Sequence, residues 1–394
     1  MPRGFAFSAV SCGLKKSGLD LGLIVSETPA SAACVFTTNL VKAAPILVSQ
    51  RHLRHSAAKM RAIIVNSGNA NCVTGAAGLA ASRRTTAALA RAIGCRTEQT
   101  LVCSTGVIGL PLRVKRILRA IPKLRAEGSA TPGAFGQFTR AIMTTDTRPK
   151  WAAANCMVDG KRVRLLGCAK GAGMIHPRMA TMLSFIVTDA AVPASVLRRA
   201  LRDAVAKTFN AITVDGDTST NDTLAVLANG ASGAPAIRAG SLDYGKFHAA
   251  LKSVCQSLAL QIVADGEGAH RVVEIEVRGA DSDRAADAIA RTIANSPLVK
   301  TALAGGDPNW GRILAAAGRA GVRFDPDRAE IRMAGILMCR AGHPCPFNEK
   351  AAHRKLLAKE VPIVVDLHAG KGSARIWTCD FTGDYVRINA SYRS

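Results

Sequence analysis

The run Lys170-Gly-Ala-Gly-Met-Ile-His-Pro-Arg-Met-Ala-Thr181 passes directly into the apolar stretch Met182 to Val187. A threonine between a small-residue loop and a buried strand is the arrangement an N-terminal nucleophile requires. Cutting the Ala180–Thr181 bond would leave a hydroxyl nucleophile and an α-amine base on one residue. Two further loops offer complementary groups. Ala62 to Val65 is a strand-length apolar run leading into Asn66-Ser-Gly-Asn-Ala-Asn71, and Leu101-Val-Cys103 leads into Ser104-Thr-Gly-Val-Ile-Gly109. Loops of small polar residues present backbone N–H groups that suit an anion or oxyanion. On spacing alone they are equally tight strand–helix turns, Lys170 is a surface lysine, and Glu267 is a turn carboxylate. Asp215-Gly-Asp-Thr-Ser-Thr-Asn-Asp222 has acidic spacing but fails as a calcium loop, with Thr220 at the sixth position and Val226 at the twelfth. Cys339, His343 and Cys345 have loose metal-like spacing, but Gly342 and Pro344 favour a hairpin turn.

The elements that must position these residues follow from periodicity. Gly78 to Ala92 carries small and apolar residues at helical spacing, and a basic amphipathic helix follows Pro111. Residues 127–136 read as a linker. Val163 to Leu166 reads as the strand feeding the Lys170 loop, and Pro193 opens a helix to about Thr208. Val273, Ile275 and Val277 alternate with Glu274 and Glu276, which predicts a strand with one wet face. Helices are expected over Ala285 to Ala294, from Ser296-Pro297, and from Asp307-Pro308 to Gly318; strands are expected at Ile363 to Leu367 and Tyr385 to Ile388. Strands and helices mixed without regular βαβ alternation predict an α+β layered fold.

The chain has 394 residues, enough for a large core. Its eleven cysteines are scattered, so no disulfide framework is expected. No apolar run reaches the roughly 18 residues of a membrane span, and the start lacks the apolar region of a signal peptide. A cytoplasmic protein is expected. The net charge is +24, from 52 basic and 28 acidic residues. The charges are dispersed and few aromatics interleave with them, which argues against nucleic-acid binding as the main task; steering of carboxylate substrates accounts for them as well.

The Lys170–Leu183 run together with its companions resembles the bifunctional ornithine acetyltransferase/N-acetylglutamate synthase family. The resemblance runs through Val65 to Asn71, Ser104 to Gly109, Ala141-Ile-Met-Thr-Thr-Asp-Thr-Arg-Pro-Lys150, and Thr213-Val-Asp-Gly-Asp-Thr-Ser-Thr-Asn-Asp-Thr223. It continues through Asp265-Gly-Glu-Gly-Ala269, Ser296 to Thr301, Asp307-Pro-Asn-Trp-Gly-Arg-Ile-Leu314 and Asp384-Tyr-Val-Arg-Ile-Asn-Ala390. The motifs stand in family order and span nearly the whole chain.

The resemblance implies a layered N-terminal-nucleophile-like fold of the aminopeptidase/ornithine acetyltransferase type, with a smaller α/β C-terminal domain. It implies self-cleavage into an α chain, 1–180, and a β chain, 181–394, in which 181–280 completes the catalytic domain and 281–394 forms the second one. Thr181 would be the nucleophile, and Thr105 and Gly106 the oxyanion hole. Thr144, Lys170, Thr181, Glu267, Asn389 and Ser394 would bind substrate. The implied reaction moves acetyl from N2-acetyl-L-ornithine to L-glutamate through an acetyl-threonyl ester, with no metal or organic cofactor. Some members also take acetyl-CoA, and an α2β2 heterotetramer is the family's assembly. A self-processing aminopeptidase or amidase of related fold is the rival. His176, Arg178 and Ser394 depart from the family's commoner residues, and the excess of Arg and Lys is unexplained by it.

Overall fold

The computed structural model describes residues 1–176 and 182–391. Ala180, Thr181, Arg178 and Ser394 therefore lie outside the described residues. Eight strands build the first sheet: β1 Phe5–Val10, β2 Leu21–Phe36, β3 Lys59–Asn66, β4 Thr100–Ser104, β5 Lys150–Val158, β6 Lys161–Lys170, β7 Leu183–Thr188 and β8 Thr223–Ala228. Their order is β4-β3-β2-β8-β7-β6-β5, with β1 paired to β2. The pairs β3/β4 and β7/β8 are parallel, and the others are antiparallel.

The central strands are continuous apolar runs because both faces of the sheet are covered. Leu165, Ile186 and Val226 pack on one side against Leu197 and Leu201 of helix Ala194–Ala206 and Val254 and Leu258 of helix Leu242–Ala264. Their neighbours Leu166, Phe185 and Leu227 face the opposite side, where Phe135 and Phe138 cover them. These two phenylalanines belong to helix Pro132–Ala141, which begins inside the 127–136 stretch expected to be linker and runs beyond it. Pro132 begins that helix, the Thr131 hydroxyl accepts from the Ala134 N–H at 3.2 Å, and Phe138 meets Phe185 edge-on at 5.9 Å. A glycine-rich composition concealed a short helix whose two rings, three residues apart, supply its buried face.

The second sheet contains β9 Val272–Ala280, β10 Glu330–Met333, β11 Ile336–Arg340, β12 His343–Pro344, β13 Glu360–Asp366 and β14 Gly372–Cys379. Its order is β12-β11-β10-β13-β9-β14. Val273, Ile275 and Val277 point into a core shared with Ile289 and Ile293 of helix Asp283–Ala294. The second sheet thus takes one interior strand, β9, from residues before 281. The Cys339–Cys345 segment is the expected hairpin, turning through Ala341 and Gly342, both with positive φ. The helix expected from Asp307-Pro308 is capped instead by Asn309, whose side chain accepts from the Arg312 N–H.

The tail departs from expectation. Tyr385 to Ile388 is not a strand but part of helix Gly383–Ser391. Phe381 and Tyr385, four residues apart, meet at 4.4 Å between ring centres, and the Thr382 hydroxyl accepts from the Asp384 N–H. One helical-spaced aromatic pair outweighed the local β-branched content. Both sheets with their helices make an α+β fold.

Candidate active site

Two loops form one rigid wall. The Ser104 hydroxyl donates to Asn66 Oδ1 at 2.6 Å, Asn66 Nδ2 donates to the Asn69 carbonyl at 2.9 Å, and the Thr105 N–H donates to the Asn66 carbonyl at 2.9 Å. Gly106 has φ +128°, and a Cβ there would lie 2.6 Å from the Asn69 nitrogen. Only glycine permits that approach. The two turn-rich motifs are therefore a single unit presenting Thr105 and Gly106.

Opposite this wall, Lys170 ends β6 at 9% exposure, and its Nζ donates to Thr105 Oγ1 at 3.2 Å. Burial pushes the Lys170 ammonium below the ordinary lysine range, and the Asp146 carboxylate beside it opposes this. Asp146 accepts from the Gly171 N–H at 2.6 Å, from the Thr144 N–H at 2.9 Å, and from Lys150 Nζ at 2.6 Å. Burial alone would raise the Asp146 pKa, but the charges of Lys170 and Lys150 and the Gly171 N–H bring it down to about 2.

Lys150 is fully buried and also pairs with Asp265, which in turn accepts from the Thr147 N–H at 3.1 Å. One buried ammonium thus joins the Thr144 loop to the Asp265-Gly-Glu267 turn, while Asp146 extends the link to the end of β6. Spacing gave no sign of this: a lysine is rarely fully buried unless paired, and its partners are distant in sequence or hidden in a polar motif.

Glu267 is 8% exposed, and its Oε2 accepts from Asn389 Nδ2 at 2.8 Å, across from the C-terminal helix. Its N–H donates to the Ala172 carbonyl at 2.9 Å, and a Cβ on Gly173 would collide with its carboxylate. Thr105, Gly106, Thr144, Lys170, Glu267 and Asn389 line one cleft of about 170 Å³. That is close to the roughly 150 Å³ cavity that holds one benzene, a small-molecule scale. Asn221 and Asp222, which the sequence offered within a failed calcium-loop pattern and a family motif but not as site residues, complete the wall. Asn221 Nδ2 ties the wall together by donating to the carbonyls of Ala70 at 2.6 Å and Ser104 at 2.9 Å. His176 stands beside this site, with Nδ1 3.3 Å from the Thr213 hydroxyl.

The model of the ArgJ family matches residues 6–394. The chain belongs to the ArgJ family. Within it, the "Arginine biosynthesis bifunctional protein ArgJ" of Geobacter sulfurreducens is 50% identical, the match covering 100% of this chain and 99% of that protein. The protein of the same name from Symbiobacterium thermophilum is 47% identical over 100% of this chain and 98% of its own length. A crystal structure of the Bacillus halodurans ArgJ protein is 44% identical and superposes with a TM-score of 0.52, covering 54% of this ArgJ-family chain and 100% of its own. Among the described residues, no helix is long and apolar enough to cross a membrane, and no group of His, Cys, Asp and Glu is arranged to hold a metal ion.

Proposed function

We propose that the protein is a glutamate N-acetyltransferase of arginine biosynthesis, cut before Thr181 and working by a ping-pong mechanism in the cytoplasm. The observation that carries this reading is the convergence of Thr105, Gly106, Thr144, Lys170, Glu267 and Asn389 on one cleft at the loop before Thr181. Thr181 attacks the acetyl carbonyl of N2-acetyl-L-ornithine, and its α-amine, of ordinary pKa about 8, takes the hydroxyl proton. Thr105 Oγ1 and the Gly106 N–H stabilise the oxyanion, each such donor contributing about 3–4 kcal/mol. Lys170 suits the substrate carboxylate and Glu267 a cationic side chain. Ornithine leaves with the proton returned by the Thr181 amine, and the amine of L-glutamate then attacks the ester and takes the acetyl group. The Bacillus halodurans chain corresponds over its whole length to 54% of this one. Residues 181–394 make up the same share, 214 of 394, in keeping with a separate β chain. Ser394 and the α2β2 assembly belong to the same proposal, as does acetyl-CoA as a second donor.

The test is incubation with acetylornithine and glutamate, and separately with acetyl-CoA and glutamate, following N-acetylglutamate. Formation from the first pair supports the transferase, and formation from the second adds the synthase activity. Hydrolysis of the donor without N-acetylglutamate would instead mark an amidase.

A further inference from the structure

The acetyl transfer leaves the Asp222 carboxyl without a task. Asp222 immediately precedes β8, is 1% exposed, and lines the same cleft as Lys170 and Thr105. Parallel pairing sets Leu183 opposite Thr223, which brings Met182 beside Asp222. The Thr223 N–H donates to the Met182 carbonyl at 3.0 Å, and the Met182 N–H donates to the Asp222 carboxyl, as does the Ser219 hydroxyl. The nitrogen so bound belongs to the peptide that joins Thr181 to Met182. The second carboxyl oxygen, Oδ2, is buried and has no hydrogen-bond partner among the described residues.

A buried carboxylate with one oxygen unpartnered is costly. A protonated carboxyl turns that oxygen into a donor. Burial raises the Asp222 pKa well above the carboxylate range, although the Ser219 hydroxyl, the Lys170 charge and the Met182 N–H oppose it. Burial thus favours the protonated form of a carboxyl held on the Met182 N–H, the next described residue after Thr181.

We propose that Asp222 is the acid of the self-cleavage, giving its Oδ2 proton to the Thr181 nitrogen as the Ala180–Thr181 bond breaks. The proposal rests on the reading of Thr181 as the residue before which the chain is cut. Thr181 Oγ bonds to the Ala180 carbonyl carbon while the C–N bond breaks. The nitrogen takes the proton from Asp222, and the hydroxyl proton of Thr181 returns to the carboxylate left behind. The products are an Ala180 ester on Thr181 Oγ and a free α-amine. Water then hydrolyses the ester to the Ala180 carboxyl and the Thr181 hydroxyl. The Lys170 ammonium, in the same cleft, stabilises the carboxylate during the transfer; Asp146, Lys150 and Glu267 are the other charges that act on Lys170.

The full-length chain made by cell-free synthesis tests this, with cleavage followed over time by denaturing mass analysis at several pH values. Asp222→Asn keeps the shape and one acceptor oxygen for the Met182 N–H and the Ser219 hydroxyl, but its amide has no acidic proton to give. It is expected to cleave at least about 100-fold more slowly and to lose the fall in rate that the wild type shows as pH rises through the Asp222 pKa. Asn cleavage at the wild-type rate, or slowed cleavage that keeps the wild-type pH profile, overturns the proposal. If the Asn variant does not fold, Asp222→Ser is judged by the same criteria, and a wild-type rate that does not fall as pH rises above the ordinary carboxylate range overturns it alone. Thr181→Ala, with Asp222 intact, sets the uncut baseline. A wild-type chain that is never cut, or is cut elsewhere, removes the Thr181 reading itself and is distinguishable from failure of the Asp222 role.

Discussion

At the residue scale, Thr105 and Lys170 share a hydrogen bond of 3.2 Å before any substrate arrives. Thr105 accepts from Lys170 through a lone pair, so its own hydroxyl proton stays available to donate to a substrate oxygen. Thr105→Val keeps the β-branched shape and removes only the donor. Its kcat is expected to fall by about 10²–10³ with little change in KM, as steady-state kinetics will show; a KM effect alone would make Thr105 a binding residue. Lys170 brings a pH dependence with a definite sign. Burial lowers its pKa, so its positive charge is present at low pH and is lost below the pH at which an ordinary lysine titrates. Donor kcat/KM should accordingly decline on the alkaline side. Lys170→Met should abolish that decline while lowering kcat/KM throughout, a result read from pH–rate profiles of both proteins. Gly106 is fixed by space: Gly106→Ala puts a methyl against the Gly68–Asn69 backbone and should lower both stability and kcat.

At the element scale, the buried Lys150 ammonium pairs with both Asp146 and Asp265 and so joins the Thr144 loop to the turn before Glu267. Removing one partner of a buried pair costs about 3–5 kcal/mol, so Lys150→Met should lower the unfolding free energy by that amount in denaturant titration. The linked acid effect has a definite window. The folded Asp146 pKa, about 2, lies below its unfolded value of about 3.9. Its contribution is complete above the unfolded value and is lost as pH falls through the folded one. Asp146→Asn should therefore flatten the acid limb of the stability curve between about pH 4 and pH 2.

The same elements show what a sequence can carry. Val163 to Leu166 and Met182 to Val187 were readable as strands because unbroken apolar runs have few alternatives. The Ser104–Gly109 loop could be read as a donor loop, but its union with Asn66–Asn71 could not, since it depends on pairing between β3 and β4. Helix Pro132–Ala141 was hidden by Gly133 and Gly136, because the contact of Phe138 with Phe185 that supports it is long-range, and the tail helix by Val386 and Ile388, which obscured the local Phe381–Tyr385 pair. Burial of Lys150 and Asp222 depends on strands far apart in sequence, which no local window contains.

At the scale of the whole molecule, the charge of +24 needs a physical account. The basic clusters lie where the periodicity placed them. Lys115, Arg116, Arg119, Lys123 and Arg125 are exposed along helix Val114–Ala126, while Ile117, Ile121 and Leu124 are buried beneath. Arg198, Arg199 and Arg202 are likewise exposed on helix Ala194–Ala206. A field from dispersed charges attracts anions over several ångströms and is screened by salt; the screening length falls from about 30 Å at 0.01 M to about 8 Å at 0.15 M. Glutamate carries a net negative charge, whereas acetylornithine is a zwitterion of zero net charge. If the field steers substrate, kcat/KM for glutamate should fall over that range while kcat/KM for acetylornithine changes much less. Equal responses would assign the charge no part in catalysis. The rival account, nucleic-acid binding, makes the opposite demand. It requires a DNA complex that survives about 200 mM salt, and exposed charges on separate helices with few aromatics among them favour one that dissolves below it.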